Sequence, residues 1–550
     1  MAKLSLCMIV KDEEKNLPGC LECIKEVVDE IIIVDTGSTD NTIKIAKDYG
    51  AKVYYFDWCD DFSAARNESL KYATGDYILY LDADDRLEKE DVKKLVALKK
   101  DFSLAKNEVF YFKLVNLHEN GHKESCYQLR IFPNLKELRF KGRVHEQIGP
   151  AVKRLGLANK LTNICLYHTG YRDPSLNHLK AKRNLELLLK DLEENPNAYI
   201  HYYLGQTYFY LGDFQKAKDF FKKVLIPEAK TECPWMYITS GIQLGNIYLK
   251  EGAIQKNISL LENLYKEFPD NDVIRLFLGQ SYLMANRPQD SLNTLLLVNP
   301  ERLTLLFVPI SEKEYKAFYY LKLADAYARL KYLRLAEGSY QKALEILPDN
   351  LKLLIDLGKL NLEMGEKQKA MEYFKRALKI SGDGPRKSQI YTLLGVVSIE
   401  EGGLEQAESY FSKALNIFPF NFRAAVHLAE LQIEKNCLPQ AQRILEKVLP
   451  FCKNGMNLYI MSMLSFVYTK QYMIEKCIQM ADKMLKALNL PRNLVLNSLL
   501  DLAKVYKNIA QILQMQNKNA EADIILKTTY AIYGLMKDTE LFLTSADLIK

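Results

Sequence analysis

Residues 73–85 read Ala73-Thr74-Gly75-Asp76-Tyr77-Ile78-Leu79-Tyr80-Leu81-Asp82-Ala83-Asp84-Asp85. The apolar run 77–81 is typical of a buried strand, and acidic residues follow where that strand ends. Asp82 and Asp84 are two positions apart, so their side chains point the same way if the strand continues and converge if it turns. Carboxylate oxygens suit Mg²⁺ or Mn²⁺, and Mg²⁺ takes one or two protein carboxylates plus substrate phosphates. The stretch therefore indicates a diphosphate-binding cation site; taken alone, a solvated acidic turn explains it equally well.

From residue 4 to about residue 171, strand-like runs alternate with helix-like stretches. Strands are predicted at 4–10, 30–34, 52–56 and 77–81, and helices at 17–28, 42–49 and 64–73. This alternation predicts an α/β domain with a mostly parallel sheet and helices on both faces. In such sheets ligands bind beyond the carboxyl ends of the strands, where residues 82–85 are placed.

From about residue 198 onward, strand signals vanish and helical pairs recur with a period of 34 residues. The spacing separates Gly245 from Gly279, Ala324 from Gly358 and Gly395 from Ala429. Aromatic residues such as Phe374 and Phe411 follow at fixed offsets, as expected if they fill the space between closely crossing helices. This pattern resembles the tetratricopeptide repeat (TPR). Matches are good at 317–350, 351–384 and 388–421, partial at 198–229, 238–271 and 422–450, and irregular at 280–316.

The composition excludes several classes of protein. The 550 residues are 48% hydrophobic and 26% charged, with a net charge of +6 and ten scattered cysteines. These values argue against a disordered, disulfide-scaffold or nucleic-acid-binding chain. No apolar run approaches the ~18 residues of a membrane span, and a signal peptide is not expected, so the chain is predicted to be cytoplasmic.

Two further residues of the α/β part have candidate roles in ligand binding. Asp35 ends the second strand, where a carboxylate can accept hydrogen bonds from a nucleoside, as an acid at a strand end does in dinucleotide folds. Arg66 is predicted near the start of a helix, where a guanidinium can offer two donors to a phosphate or base. For Arg66 a surface ion pair with Glu68 or Asp61 remains an equal alternative.

Together these segments resemble the family 2 glycosyltransferases, which have the GT-A fold. The resemblance rests on four segments with matching order and spacing, namely residues 6–14 (LCMIVKDEE), 33–40 (IVDTGSTD), 65–67 (ARN) and 73–85. It is close over 1–120 and loose to about 175. The predicted organisation is a GT-A domain at 1–174, a linking helix at 175–197, TPR-like repeats at 198–482 and C-terminal helices at 483–550 that cap the solenoid.

The family implies a nucleotide-sugar donor, most often a UDP-sugar, and a divalent Mg²⁺ or Mn²⁺ ion held by the acidic triplet. By resemblance Val10 and Asp35 contact the donor's nucleoside side, Arg66 lies near the nucleotide, and Asp82 contacts the ribose or sugar. Asp84 is the direct metal ligand, with Asp82 assigned to the metal site as well. Transfer in this family inverts the anomeric centre, so a carboxylate base is expected after the triplet.

The candidate base is Glu146, in the segment Phe140-Lys141-Gly142-Arg143-Val144-His145-Glu146. This segment resembles an Arg-x-His-Glu motif that stands where other members carry Glu-Asp. His145 would orient Glu146 or touch the donor, and the alternative is a structural His-Glu pair on a helix. By resemblance His168 completes the metal shell, against the alternative of an ordinary structural histidine.

His118 and His122 are four apart and would form a metal pair if they shared a helix face. Asn120-Gly121 between them instead predicts a hairpin turn, flanked by strands at 111–117 and 127–132. We therefore expect a hairpin here and no metal pair.

A transferase domain followed by helical repeats resembles bacterial peptide and protein glycosyltransferases, including the sublancin S-glycosyltransferase type, in which a comparable region dimerises. The first hypothesis is a hexosyltransferase that moves sugar from a UDP-sugar to a peptide or protein, with a homodimer formed through the repeats. The second is transfer to a saccharide or lipid-linked acceptor in cell-surface polysaccharide synthesis. The third is a non-catalytic TPR scaffold, against which the intact Asp35, Arg66, Asp82 and Asp84 argue.

Overall fold

The computed structural model describes residues 2–102, 107–118, 121–170, 174–303, 308–452, 456–491 and 498–546. Eight strands form one sheet: β1 (Leu4–Val10), β2 (Glu30–Asp35), β3 (Lys52–Tyr55), β4 (Tyr77–Tyr80), β5 (Asp85–Arg86), β6 (Glu108–Leu117), β7 (Lys123–Pro133) and β8 (Ala158–His168). The order across the sheet is β3-β2-β1-β4-β7-β6-β8-β5. The predicted α/β domain is confirmed.

The sheet is mixed rather than mostly parallel. β1, β2, β3 and β4 run parallel, as does the β6–β8 pair, whereas β7 is antiparallel to both β4 and β6, and β5 is antiparallel to β8. The difference arises because the β6–β7 hairpin reverses the chain beside β4 instead of adding another strand–helix crossover. The carboxyl ends of β1, β2, β4, β6 and β8 still share one edge.

Five helices accompany the sheet: α1 (Leu17–Ile24), α2 (Thr42–Asp48), α3 (Phe62–Lys71), α4 (Lys89–Lys100) and α5 (Gly149–Arg154). Alternate residues of β1 face opposite cores, since Leu6 packs with side chains of α1, α2 and α4, whereas Cys7 packs with side chains of α3 and α5. Both faces of β1 and β4 are therefore buried, as their near-continuous apolar sequences predict.

The remaining elements are helical. They are α6 (Pro174–Glu194), α7 (Ala198–Leu211), α8 (Phe214–Val224), α9 (Pro227–Glu232), α10 (Pro234–Lys250), α11 (Ile254–Glu267), α12 (Asp272–Met284), α13 (Pro288–Leu295), α14 (Glu312–Arg329), α15 (Leu333–Ile346), α16 (Leu351–Glu363), α17 (Lys367–Ile380), α18 (Pro385–Glu400), α19 (Leu404–Ile417), α20 (Phe422–Glu434), α21 (Leu438–Val448), α22 (Met456–Lys470), α23 (Ile474–Ala487), α24 (Leu499–Met515) and α25 (Asn519–Ala546). Two short 3₁₀ turns lie at Pro300–Arg302 and Leu449–Phe451.

Close helix crossing in the repeats depends on the small residues that define the period. A Cβ added at Gly358 would lie 2.3 Å from the ring of Phe374, and one at Gly395 would lie 2.4 Å from Phe411. Both rings are fully buried. The predicted pairing of small and aromatic residues is confirmed, and helical pairs also occupy much of the irregular 280–316 segment and the region beyond 452.

The chain divides into two compact units, Met1–Leu347 and Pro348–Lys550, so the α/β domain and the repeats as far as α15 form one unit. The linking helix predicted at 175–197 is observed as α6, which begins at Pro174. Across the described ranges, no helix is long and apolar enough to cross a membrane.

Candidate active site

The acidic residues after β4 form a closed turn at the carboxyl edge of the sheet. The backbone N–H of Asp85 donates to the carbonyl of Asp82 at 3.0 Å, and the N–H of Asp82 donates to Oδ2 of Asp85 at 2.9 Å. Asp85 is fully buried and begins β5, whereas the side chain of Asp82 is 36% exposed. The carboxylate of Asp85 is therefore buried within the turn, whereas the carboxylate of Asp82 is partly exposed at the edge of the sheet.

His168 reaches this turn because β8 pairs with β5, where His168 lies opposite Asp85. Nδ1 of His168 is 3.0 Å from Oδ1 of Asp85 and 3.4 Å from Oδ1 of Asp84. Burial would lower the pKa of the imidazole, but the hydrogen bond and charge of Asp85 raise it overall. The structure therefore brings His168 together with the acidic triplet, as the sequence predicts.

These groups fit a divalent cation. Asp82, Asp85 and His168 each place one ligand atom within 4.8 Å of the others. Gly170 keeps the space beside them open, since a Cβ there would lie 2.2 Å from Oδ2 of Asp84 and 3.0 Å from Nε2 of His168. Burial, with the charges of Asp82 and Asp85 added, raises the pKa of Asp84 although His168 opposes this, so the cluster concentrates negative charge that a cation would offset.

Arg66 joins the acidic turn to the candidate base. It lies in the middle of α3 and is 5% exposed; its Nη2 is 3.1 Å from Oδ1 of Asp82 and 2.7 Å from Oε1 of Glu146. The guanidinium also stacks against the rings of Tyr80 and Phe140, at 4.9 and 5.5 Å. The expectation that Arg66 lies near the start of its helix, and the alternative of a surface ion pair, are both wrong.

One donor of Arg66 remains unused. Its Nη1 is buried and has no hydrogen-bond partner among the described residues. An orphaned guanidinium N–H is costly unless something pairs with it, and here it lies on the group that already binds Asp82. The arrangement leaves one cationic donor for an anionic ligand at this edge.

Arg130 is a site residue that sequence reasoning missed. It projects from β7, is 1% exposed, and places Nη1 3.2 Å from Oδ2 of Asp85 and 3.6 Å from Oδ2 of Asp82. Burial opposes ionisation of Asp82, but the charges of Arg66 and Arg130 hold its pKa well below the usual range. The only sequence signal is a lone arginine within the short apolar stretch Leu129-Arg130-Ile131-Phe132.

Asp35 and Val10 are neighbours, paired in register where β2 and β1 end. Asp35 is 2% exposed, and its Oδ2 accepts the backbone N–H groups of Gly37 and Ser38 at 3.0 and 3.1 Å. Because β1 separates β2 from β4, Asp35 lies two strand spacings, about 10 Å, from the acidic turn across the sheet edge. Val10 is buried between the two positions.

The loop that carries Glu146 is shaped by the helices that follow the α/β domain. His145 has a positive φ of 55°, and its ring is stacked 4.1 Å from that of Tyr203 on α7, with 3° between the planes. Val144 packs with Leu187 and Leu188 of α6. A His-Glu pair on a helix is therefore not what the structure has: the pair lies in a loop, and only Glu146 contacts Arg66.

The predicted hairpin is confirmed by the pairing of β6 with β7, although Asn120 of its turn lies outside the described residues, and the hairpin does not separate the two histidines. The N–H of His118 donates to the carbonyl of His122 at 3.1 Å, which closes the turn between β6 and β7. The hairpin itself places the two rings 5.2 Å apart, with Glu124 beside them. A shared helix face is not needed to bring the two histidines together.

Comparison with known proteins agrees with this geometry. The sequence model of glycosyl transferase family 2 matches residues 5–151, and tetratricopeptide repeat models match 198–226, 319–350, 351–383 and 398–451. A solved tetratricopeptide repeat protein of Thermus thermophilus aligns with 36% of the chain and 98% of its own, at a TM-score of 0.27 and 20% identity, a similarity too low to add to the assignment.

Three curated relatives are informative. A TPR repeat-containing protein of Synechococcus elongatus is 36% identical over 41% of this chain and 57% of its own length. The prophage-derived glycosyltransferase SunS of Bacillus subtilis is 30% identical over 48% of this chain and 62% of its own. An uncharacterized glycosyltransferase of Rickettsia felis is 29% identical over 34% of this chain and 67% of its own. The chain thus spans about three fifths of the first two relatives. By these matches, residues 5–151 form a domain that resembles glycosyl transferase family 2, and the helical segment that follows it contains tetratricopeptide repeats.

Proposed function

We propose that this chain is an inverting, metal-assisted glycosyltransferase that moves a hexosyl group from a nucleotide-sugar, in the first instance a UDP-sugar, to a peptide or protein. One observation supports this most directly. Asp82, Asp84, Asp85 and His168 converge at the carboxyl edge of the sheet, and Arg66 connects that cluster to Glu146.

Asp84, Asp82 and His168 are the residues proposed to hold the Mg²⁺ or Mn²⁺ ion, and Asp85 fixes the imidazole through Nδ1. When bound, the cation supplies charge neutralisation for the departing nucleoside diphosphate. Nη1 of Arg66 lies buried beside the same carboxylates without a partner among the described residues and is suited to donate to a phosphate oxygen. Val10, one strand away along the edge, and Asp35, two strands away, are proposed for the nucleoside end.

Glu146 is the proposed base. Nε of Arg66 donates to Oε1 of Glu146 at 2.8 Å, and Nη2 forms an ion pair with the same oxygen at 2.7 Å, while no hydrogen bond from a described residue reaches Oε2. The arginine therefore holds Oε1 and leaves Oε2 to accept the acceptor's proton. His145 is proposed as a residue that orients this loop, since it stacks on Tyr203.

The peptide acceptor and a homodimer through the repeats rest on the helical array and on the similarity to SunS, which is named as a glycosyltransferase. Stacked helical pairs give an extended surface suited to chain-like partners, which a small sugar acceptor would not need. A saccharide or lipid-linked acceptor is the competing proposal.

The decisive experiment is a nucleotide-sugar screen scored by released nucleoside diphosphate, with Mn²⁺ or with chelator, on the wild type and on Asp84→Ala. We expect turnover of at least one donor that needs the metal and falls at least 100-fold in the variant. If a folded protein turned over none of the donors, the enzymatic proposal would be wrong and the non-catalytic scaffold would be favoured. Mass spectrometry of peptides, glycans and lipid-linked sugars after incubation then separates the acceptor classes.

A further inference from the structure

We propose a second metal site, which binds a transition-metal dication of the Zn²⁺ class, at the tip of the β6–β7 hairpin. Its ligands are Nε2 of His118, Nε2 of His122 and the carboxylate of Glu124, with Glu314 of α14 as the supporting carboxylate. The inference is independent of the proposed function.

The distances within this cluster are close to those between the ligand atoms of a metal site, and the contact between His118 and Glu124 also has the geometry of a long hydrogen bond. Nε2 of His118 is 3.4 Å from Oε2 of Glu124, and Nε2 of His122 is 3.5 Å from Oε1 of the same residue. An N–H···O bond to a carboxylate is usually about 2.7–2.9 Å long. A tetrahedral site with bonds of about 2.0–2.1 Å separates its ligand atoms by about 3.3–3.4 Å. One candidate ligand atom from each residue lies within 4.8 Å of the other two.

Glu314 gives His122 the orientation that a metal ligand requires. Nδ1 of His122 is 2.9 Å from Oε1 of Glu314, so an N–H on Nδ1 places the lone pair on Nε2, the atom that faces Glu124. Histidines that bind metals commonly donate their other ring N–H to a carboxylate in this way. Two imidazoles and one carboxylate also form a ligand set found at zinc sites that leave the fourth position open.

The cluster lies where a metal would connect the hairpin to the repeats. Ser125 and Ile310 exchange backbone hydrogen bonds of 2.8 and 3.2 Å, and Nζ of Lys113 is 3.0 Å from Oε1 of Glu312. The hairpin and α14 belong to the same compact unit. A bound metal would therefore strengthen the contact between the hairpin tip and α14, which is made through His122 and Glu314.

The site is near the candidate active site but has its own residues. Asn116 of β6 pairs with His168 of β8, and His118 lies two positions further along the chain from Asn116. The acidic turn uses Asp82, Asp84, Asp85 and His168, whereas the hairpin cluster uses none of them. Stoichiometry can therefore distinguish the two sites.

The test is zinc binding to the full, untagged chain after removal of metal by a chelator, followed by competition with a chromophoric chelator. His118→Ala, His122→Ala and Glu124→Gln are each expected to lower the number of tightly bound equivalents by one. His427→Ala, which alters a histidine paired with Glu430 in the repeats, should leave the number unchanged. Glu314→Gln should weaken zinc affinity about 10- to 100-fold without abolishing binding.

Two further measurements make the outcome unambiguous. Co²⁺ in place of Zn²⁺ should give the visible absorption of a tetrahedral site in the wild type and in Asp84→Ala, but not in His122→Ala. Zinc should raise the melting temperature of Asp84→Ala and not that of the folded double variant Asp84→Ala/His122→Ala. The proposal fails if the wild type binds no zinc, or if the hairpin variants bind as many equivalents as His427→Ala with equal affinity.

Discussion

Nη2 of Arg66 lies 2.7 Å from Oε1 of Glu146, a residue eighty positions later in the chain. The same nitrogen is 3.1 Å from Oδ1 of Asp82, so one buried guanidinium holds both the candidate base and a candidate donor-binding carboxylate. The two carboxylates would repel each other without it. Arg66 therefore positions both the proposed base, Glu146, and the proposed donor-binding carboxylate, Asp82.

Arg66→Lys keeps the positive charge but cannot reproduce the contact of both Nε and Nη2 with Oε1 of Glu146. We expect nucleoside diphosphate release to fall at least 100-fold, because the base is no longer held in place through its Oε1. Arg66→Ala should in addition lower the free energy of unfolding by about 3 kcal/mol, since the largely buried carboxylate of Glu146 loses its cation. Urea denaturation measures the second effect, and Arg139→Lys is the matched control, because among the described residues Arg139 donates only to the backbone carbonyls of Leu135 and Leu138. Full activity in a folded Arg66→Lys would contradict the role assigned here.

Asp85→Asn tests whether this buried carboxylate acts through His168. The substitution keeps the shape but removes the charge that faces Nδ1 of His168 and Nη1 of Arg130. We expect the apparent affinity for activating Mn²⁺ to fall 10- to 100-fold, with much of the maximal rate recovered at high Mn²⁺. Asp84→Asn should instead remain impaired at any Mn²⁺ concentration. Equal responses of the two variants to Mn²⁺ would show that Asp85 is not a supporting residue.

Gly170→Ala perturbs the cluster without altering any polar group. The added Cβ would lie 2.2 Å from Oδ2 of Asp84 and 3.0 Å from Nε2 of His168, so at least one of them must move. A displacement near 1 Å can cost about 100-fold in rate, and we expect a loss of that order with the fold retained. Gly338→Ala is the control, because nothing lies within 4 Å of the added atom there. Circular dichroism and diphosphate release are the measurements, and unchanged turnover in Gly170→Ala would place the reacting groups elsewhere.

Much of the site could be predicted because it lies on local patterns. β1 has the predicted bounds, and Asp35, Asp82 and Asp84 follow strands whose apolar sequences are distinctive. Arg130 could not be found this way, since its contact with Asp85 depends on the antiparallel register of β7 beside β4. The proximity of His118 and His122 depends in the same way on cross-strand pairing in the hairpin, which a helical spacing rule does not describe.

Tyr203 tests whether the first repeat supports the loop of the candidate base. Its ring is stacked 4.1 Å from that of His145, a contact worth about 0.5–1.5 kcal/mol beyond the buried area. Tyr203→Phe keeps the stack and should behave as the wild type, whereas Tyr203→Ala should lower kcat about tenfold. Because the donor-binding carboxylates are untouched, KM for the nucleotide-sugar should change little. A rise in KM with kcat unchanged, or equal losses in both variants, would argue against support of the loop.

Glu30 provides a test of the fold that is separate from the reaction, because it lies at the opposite end of β2 from Asp35. Burial would raise its pKa, but hydrogen bonds from Ser5, Thr74 and Lys52 lower the pKa to about 2. A carboxylate with a depressed folded-state pKa stabilises the protein above its unfolded pKa, near 4.5, and loses that contribution as the pH falls towards 2. The shift corresponds to at most about 3 kcal/mol. Glu30→Gln removes the titrating group but keeps an acceptor for Ser5 and Thr74. Urea titrations between pH 6 and pH 3 should show a steeper loss of stability for the wild type than for the variant, and parallel curves would mean that this carboxylate does not couple folding to protons.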